Sequence, residues 1–239
     1  MRMKQLFLLA GFLVSGLAAE AQQTIFNVPS SDITPAHRIM AQVQLDINRE
    51  EVCSMSTLDY GLNHNWEIGL NLYHFDYERP AHTWLRNDTT THIPYAPLLL
   101  LNAQKTIDLT DNLHLGLGGQ TGLNLAAAHK TAWVGWAYGN LGYEFDGKHY
   151  KTVAGVFAGN RRYLADGPTL GVHLGIDAGI WYEKVHVLAD WASGSHDYGQ
   201  LILGAEVYLA KHLPIALGWR RSNQDGEQAL VLQLTYSPD

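Results

Sequence analysis

The charged residues set between apolar ones are the first candidates for chemistry. From Leu170 to Trp181 the chain reads L-G-V-H-L-G-I-D-A-G-I-W, placing His173 and Asp177 among alternating aliphatic residues. A turn centred on Glu183-Lys184 would set Tyr182 opposite Val185, Trp181 opposite His186 and Asp177 opposite Asp190. Directly opposed Cβ atoms lie ~5 Å apart. Two carboxylates that close share a proton, bind a cation or have a base nearby.

The same parity puts Asp46, Glu67, Glu144 and Glu206 on one face with Asp177 and Asp190, and only Lys151 and Arg220 as clear bases. Around water, such a face would attract cations. The plainer alternative is a solvated polar network in which Arg220, Lys151 or a histidine neutralises the acids. His173 and His186 belong to this face by spacing.

Other chemistry finds less support. Twelve histidines invite a metal, and His74, His82 and His92 flank or lie in one long connector. Their spacing matches no H-x-x-x-H or C-x-x-C motif, so no metal or other cofactor is expected. Ser195-His196, in S-G-S-H-D, is the only Ser-His neighbour pair and reads as a turn, so no catalytic residue is expected. G-L-G-G-Q-T-G at 116–122 is followed by more alternation, not by a helix start, which excludes a phosphate loop.

The elements that position these residues are strands. Period-two alternation recurs near 38–48, 52–61, 66–75, 95–108, 113–124, 132–145, 148–160, 169–182, 185–193, 198–209, 213–221 and 229–236. This makes twelve strands, with ten as the alternative count. Connectors after even-numbered strands are tight and polar; those after the third, fifth, seventh and ninth are longer. The connectors after the first and eleventh are short, so the asymmetry is incomplete. Asp146-Gly147 is a hairpin signal that would set Tyr143 opposite Tyr150 and Gly142 opposite Lys151. Asp225-Gly226 would set Leu217 opposite Leu234 and Trp219 opposite Leu232.

Composition chooses what the two strand faces meet. Charged residues make up 16% of the chain, against roughly 25% for an ordinary soluble domain. Glycine is abundant, at 23 residues, with 12 tyrosines and 7 tryptophans. A soluble β-sandwich would present Lys, Glu, Thr and Ser on its outer face. Here the polar face mixes Gly, His, Asn, Gln and single acids with large rings such as Trp136, Tyr138, Phe157 and Tyr208, which suits a confined interior. The apolar face is nearly free of charge. Its ends collect aromatics: Trp66, Tyr143, Tyr150, Tyr182 and Tyr236 near the short turns, and Trp133, Trp191 and Trp219 near the long loops. Lipid-facing bands with aromatic girdles have this pattern.

The N-terminus agrees. Arg2 and Lys4 precede an apolar run from Leu6 to Leu17 and then A-A-E-A-Q, as in a secretory signal peptide cleaved after Ala21. Cys53 is the only cysteine, so no internal disulfide forms. A net charge of −7 without a basic cluster argues against nucleic acid.

With these residues in place, the chain resembles Gram-negative outer-membrane β-barrels of the porin-like kind. T-I-F-N-V-P-S-S-D-I at 24–33 also resembles the start of mature barrels in poorly characterised envelope families. One departure is the C-terminus, where Tyr236 is followed by Ser237-Pro238-Asp239 and not by chain end. The expectation is an all-β, closed, antiparallel up-and-down transmembrane barrel over 38–239. It would follow a signal peptide at 1–21 and a periplasmic segment at 22–37. Its partners would be outer-membrane lipid, the barrel-insertion machinery during biogenesis and a small solute. Its function would be a narrow channel or binding barrel with an acidic lumen, the 76–94 connector folding over or into the mouth. The alternatives are a non-conducting surface barrel and a lipid-modifying enzyme.

Overall fold

A computed structural model describes residues 24–85, 97–125, 131–146, 149–181 and 184–238. The expected signal peptide, Tyr182, Glu183, Gly147, His92 and the 86–94 part of the long connector lie outside the described residues.

The strands, in chain order, begin with a minute hairpin, β1 (Thr24–Ile25) and β2 (Val28–Pro29). Next come β3 (Ile39–Ile47), β4 (Glu51–Leu62), β5 (Trp66–Tyr73), β6 (Asp76–Glu78) and β7 (Thr83–Leu85). Then follow β8 (Leu98–Asp108), β9 (Leu113–Asn124), β10 (Trp133–Phe145), β11 (Tyr150–Gly159) and β12 (Leu170–Trp181). The last are β13 (Val185–Ala192), β14 (Gln200–Ala210), β15 (Leu213–Ser222) and β16 (Gln228–Tyr236). Twelve of them, all but β1, β2, β6 and β7, pair antiparallel with their neighbours. β16 pairs back onto β3, with Leu232 opposite Leu45, so the sheet closes into a barrel without a free edge.

The barrel is apolar outside and polar inside. Leu70, Leu101, Leu141, Leu174, Ile176 and Leu217 stand 46–63% exposed around the wall. Gln42, Gln44, Asn71, Asn140, Gln233 and Thr235 are buried within it. A soluble sandwich would have these faces reversed, so the alternation belongs to a lipid-facing wall. Trp66, Tyr143 and Tyr236 are exposed at the short-turn end, where Tyr150 is half-buried. At the loop end Trp133 and Trp219 are exposed and Trp191 is half-buried.

Three hairpin registers differ from expectation, each by two residues. Leu217 pairs with Leu232 and Trp219 with Leu230, because Gly226 (φ 76°) closes a longer loop instead of sitting at its centre. Tyr143 pairs with Thr152 and Phe145 with Tyr150, because Asp146 starts the turn and its carbonyl accepts the His149 N–H. Trp181 pairs with Val185 and Gly179 with His186, across an irregularity between Gly179 and Trp181. An even shift leaves every side chain on its expected face. It does change partners: Asp177 lies opposite Leu188, and Asp190 opposite Gly175. The expected carboxylate pair does not form.

A second correction concerns the segment expected in the periplasm. From Thr24 to Pro35 it runs inside the barrel. Ile25, Phe26 and Val28 are buried against inward residues Val153, Leu188, Ile202, Ala216 and Val231. Glycines make the space: a Cβ on Gly175 would stand 2.9 Å from Ile25, and one on Gly204 2.6 Å from the Phe26 ring. The segment leaves along the short-turn end, where Ala36 bridges to Gly61.

A hairpin of two residue pairs cannot satisfy its own backbone, and buried backbone groups need partners. Barrel side chains supply them. Asn140 donates to the Pro29 carbonyl (2.6 Å), Thr106 to that of Ser31 (2.6 Å) and Gln104 to that of Asp32 (2.7 Å). Glu67 accepts the Thr34 N–H at 2.6 Å.

The 76–94 connector also departs from expectation over its described part. β6 pairs with both β4 and β7, so this hairpin extends the wall upward. Trp84, in the middle of β7 opposite Tyr77, stacks on Phe75 and is exposed. The element that enters the mouth is the β11–β12 connector. Its single helical turn, Arg161–Leu164, starts at Asn160, whose side chain accepts the Tyr163 N–H. Leu164 is fully buried there.

Candidate functional site

The β1–β2 hairpin of the inserted segment packs on the β11–β16 side of the lumen. Opposite it a cavity of about 170 Å³ remains, walled by β3, β4, β5, β8 and β9. Asp59 and Glu67 line it near the short turns; Asp46, Cys53, His74, Asp197 and Arg220 line it near the loops.

Its middle is a ladder of carboxamides, which alternation brings to the inner face of three neighbouring strands. Asn102 donates to Asp59 Oδ1 (2.8 Å) and to Asn71 Oδ1 (3.0 Å). Asn71 donates to Gln120, which donates to the Tyr163 hydroxyl. Tyr138 donates to Gln104. Trp136 forms the far wall, with the Tyr163 ring stacked 5.7 Å away and Tyr198 edge-on at 5.3 Å. Tyr198 reaches down from the β13–β14 connector and donates to the Asn27 carbonyl at 3.2 Å. Amides and rings together form a surface for a small polar solute.

The six acids expected on the inner face are all buried in the barrel. Asp46 accepts from Arg220 Nη1 at 2.9 Å. Asp177 meets His186 Nδ1 at 2.6 Å. Glu144 lies 3.4 Å from Lys151, whose nearer partner is Asp32 of the inserted segment. Asp190 accepts the Asn27 and Val28 N–H groups at 2.7 and 3.0 Å. Glu206 is buried beside His186, its cross-strand partner. His173 meets Asn140 through Nε2 and the Tyr198 hydroxyl through Nδ1 (3.4 Å), and is fully buried. Thus Asp46, Glu67 and Arg220 line the cavity. Asp190, Lys151 and Glu67 hold the inserted segment. Glu144, Asp177, His173, His186 and Glu206 are not cavity-lining.

Sequence reading missed Asp59, Asp32 and the whole role of residues 24–35. Asp59 was legible, since it lies between the outward Leu58 and Tyr60. The inserted segment also left a trace. Val153, Leu188, Ile202, Ala216 and Val231 are apolar on the inner face, where water would call for polar groups.

Ser195 and His196 form no nucleophile–base pair. Ser195 is exposed, while the His196 ring is buried edge-on to Phe157 at 5.6 Å. Neither ring nitrogen has a hydrogen-bond partner among the described residues. Burial holds this imidazole below its ordinary value. The glycines of 116–122 serve packing: a Cβ on Gly116 would strike Ser31, and one on Gly118 the Tyr138 ring.

No protein-family model matches the chain, and no curated protein sequence does. Solved structures share its fold. The KdgM porin in complex with disordered oligogalacturonate superposes with a TM-score of 0.58 at 5% identity, over 84% of this chain and 99% of that one. The NanC porin gives 0.57 at 8% identity, over 84% and 100%. In fold the chain is a closed, twelve-stranded antiparallel β-barrel similar to those of outer-membrane porins.

Proposed function

We propose that this protein is an outer-membrane barrel that binds a small polar solute and admits it along a narrow, acidic path. The reading rests on the cavity between the inserted segment and the β3–β9 wall. Its lining carries Asp46, Asp59, Glu67 and Asp197 against Arg220. The likeness in fold to KdgM and NanC supports a solute barrel. The inserted segment makes this one restrictive: passage needs either the residual cavity or displacement of residues 24–35. Cations and uncharged polar solutes fit such a lining better than anions do.

Planar-bilayer recording of the full chain tests this. Small conductance with a cation-selective reversal potential in a salt gradient is expected. Loosening the inserted segment should enlarge the conductance. Anion selectivity would overturn the acidic-path reading.

The inserted segment itself favours a second reading, a barrel that does not conduct and acts through its surface loops. Folded barrels that stay silent in bilayers, with the inserted segment intact and loosened alike, would establish that reading instead.

A further inference from the structure

At the loop end of the cavity, three donors of different chemistry converge. Cys53 is the third residue of β4, opposite Asp46 of β3. β5 ends at Tyr73, and His74 follows with φ of 60°, in the left-handed region. Its N–H donates to the Ser54 carbonyl at 2.8 Å. This one-residue bulge lets β6 continue in the direction of β5 along the start of β4. Asp76, at the head of β6, is buried, and its Oδ1 accepts the Ser54 N–H at 3.1 Å.

As a result the Cys53 sulfur, a His74 ring nitrogen and an Asp76 carboxylate oxygen all lie within 4.8 Å of one another. His74 Nδ1 and Asp76 Oδ2 are 3.8 Å apart. Metal–ligand bonds of ~2.0–2.3 Å in a tetrahedral site place neighbouring donors roughly 3.5 Å apart. Only a small contraction separates this cluster from that spacing. Cys53 is half-buried, and its Sγ also donates to Glu51 Oε1 at 3.2 Å. Cysteine and histidine both line the cavity, so an ion there would be reached from the lumen.

The donor set selects the ion. One sulfur and one imidazole suit zinc and its neighbours in the first transition row. Calcium takes six to eight oxygens, and magnesium demands an octahedral oxygen shell, neither of which this cluster offers. We propose that Cys53, His74 and Asp76 form a binding site for a thiophilic divalent cation such as Zn²⁺, with the remaining coordination position facing the cavity. On binding, the S–H bond breaks and a sulfur–metal bond forms, while the proton passes by way of Glu51 to water. The sequence spacing hid this site because 53, 74 and 76 fit no linear motif; only the pairing of β4 with β5 and β6 around the His74 bulge joins them. The site does not depend on whether the barrel conducts.

Cobalt titration of the full chain in detergent micelles, under a non-chelating thiol reductant, tests the site. One equivalent should produce tetrahedral d–d bands and a thiolate-to-cobalt charge-transfer band, and Zn²⁺ should displace both. Even outer-shell changes cost about 10–100-fold in affinity, so His74→Ala and Asp76→Asn should each weaken binding at least tenfold. Cys53→Ser should remove the charge-transfer band and weaken binding similarly. Heat-shifted gel migration confirms that each variant keeps its barrel. Absence of the charge-transfer band in folded wild type would overturn the proposal. So would Cys53→Ser protein that binds Co²⁺ with unchanged affinity, or weak octahedral binding at exposed histidines alone.

Discussion

Asp190 Oδ2 accepts the main-chain N–H of Val28 at 3.0 Å, joining the barrel wall to a segment 162 residues earlier in the chain. The same oxygen takes the Asn27 N–H, so one side chain caps the tip of the inserted hairpin. A buried donor left without its partner costs about 1–3 kcal/mol. Asp190→Ala would leave two N–H groups without their partner in a buried setting. It is expected to lower barrel stability by on the order of 3 kcal/mol and to raise conductance by freeing the hairpin. Urea unfolding in micelles and bilayer recording check the two effects; unchanged values in both would refute the anchoring role.

Phe26 is the main apolar anchor of the inserted hairpin, 1% exposed, with its ring against Gly204 and Gly218. It also holds a positive φ of 53°, which a non-glycine residue adopts at a cost. Phe26→Ala should destabilise the protein by about 3–5 kcal/mol. Phe26→Gly relieves the backbone strain and should cost slightly less. Equilibrium denaturation of both variants, measured side by side, gives the comparison; equal stability of wild type and Phe26→Ala would remove the ring from this role.

On the outer wall, Leu174 is 49% exposed in the middle of β12, opposite Ala154. If that surface meets hydrocarbon, Leu174→Arg should cost about 2–4 kcal/mol in a bilayer. An aqueous surface would tolerate the change. Folding yield into lipid vesicles decides between them, with an outward Leu→Ala variant as control.

His196 gives the mouth a pH dependence. Burial lowers its pKa, so the folded connector keeps the ring neutral while the unfolded one protonates more readily. Its stabilising effect is complete above the ordinary histidine value of about 6.5 and is lost as pH falls from there towards the lower folded value. Hydrogen-exchange protection across 193–199, taken relative to the intrinsic exchange rate at each pH, should therefore fall on mild acidification. His196→Phe should flatten that response, and an equally steep response in the variant would assign it elsewhere.

Much of the wall was readable because alternation in a barrel is strict. Leu170 to Trp181 shows it: Val172, Leu174 and Ile176 face out, and His173 and Asp177 face in. Turn centres were less readable, since Gly226 and Asp146 mark the edges of their loops and not the middles. Each register moved by two residues. That preserved every face but separated Asp177 from Asp190.

By itself, the sequence determined the closed antiparallel barrel, the two faces of each strand and the side-chain types inside. These follow from a local rule, a side-chain period of two, which no distant contact alters. Tertiary structure decided what fills the lumen and which inward groups meet. Residues 24–35 entered a barrel whose matching apolar wall begins at Val153, more than a hundred residues away. Asp190 acquired backbone donors in place of a second acid, and Cys53, His74 and Asp76 came together around one left-handed bulge residue, His74. Period two says which side of the sheet a group occupies; its neighbours there depend on register, loop length and the segment that fills the space.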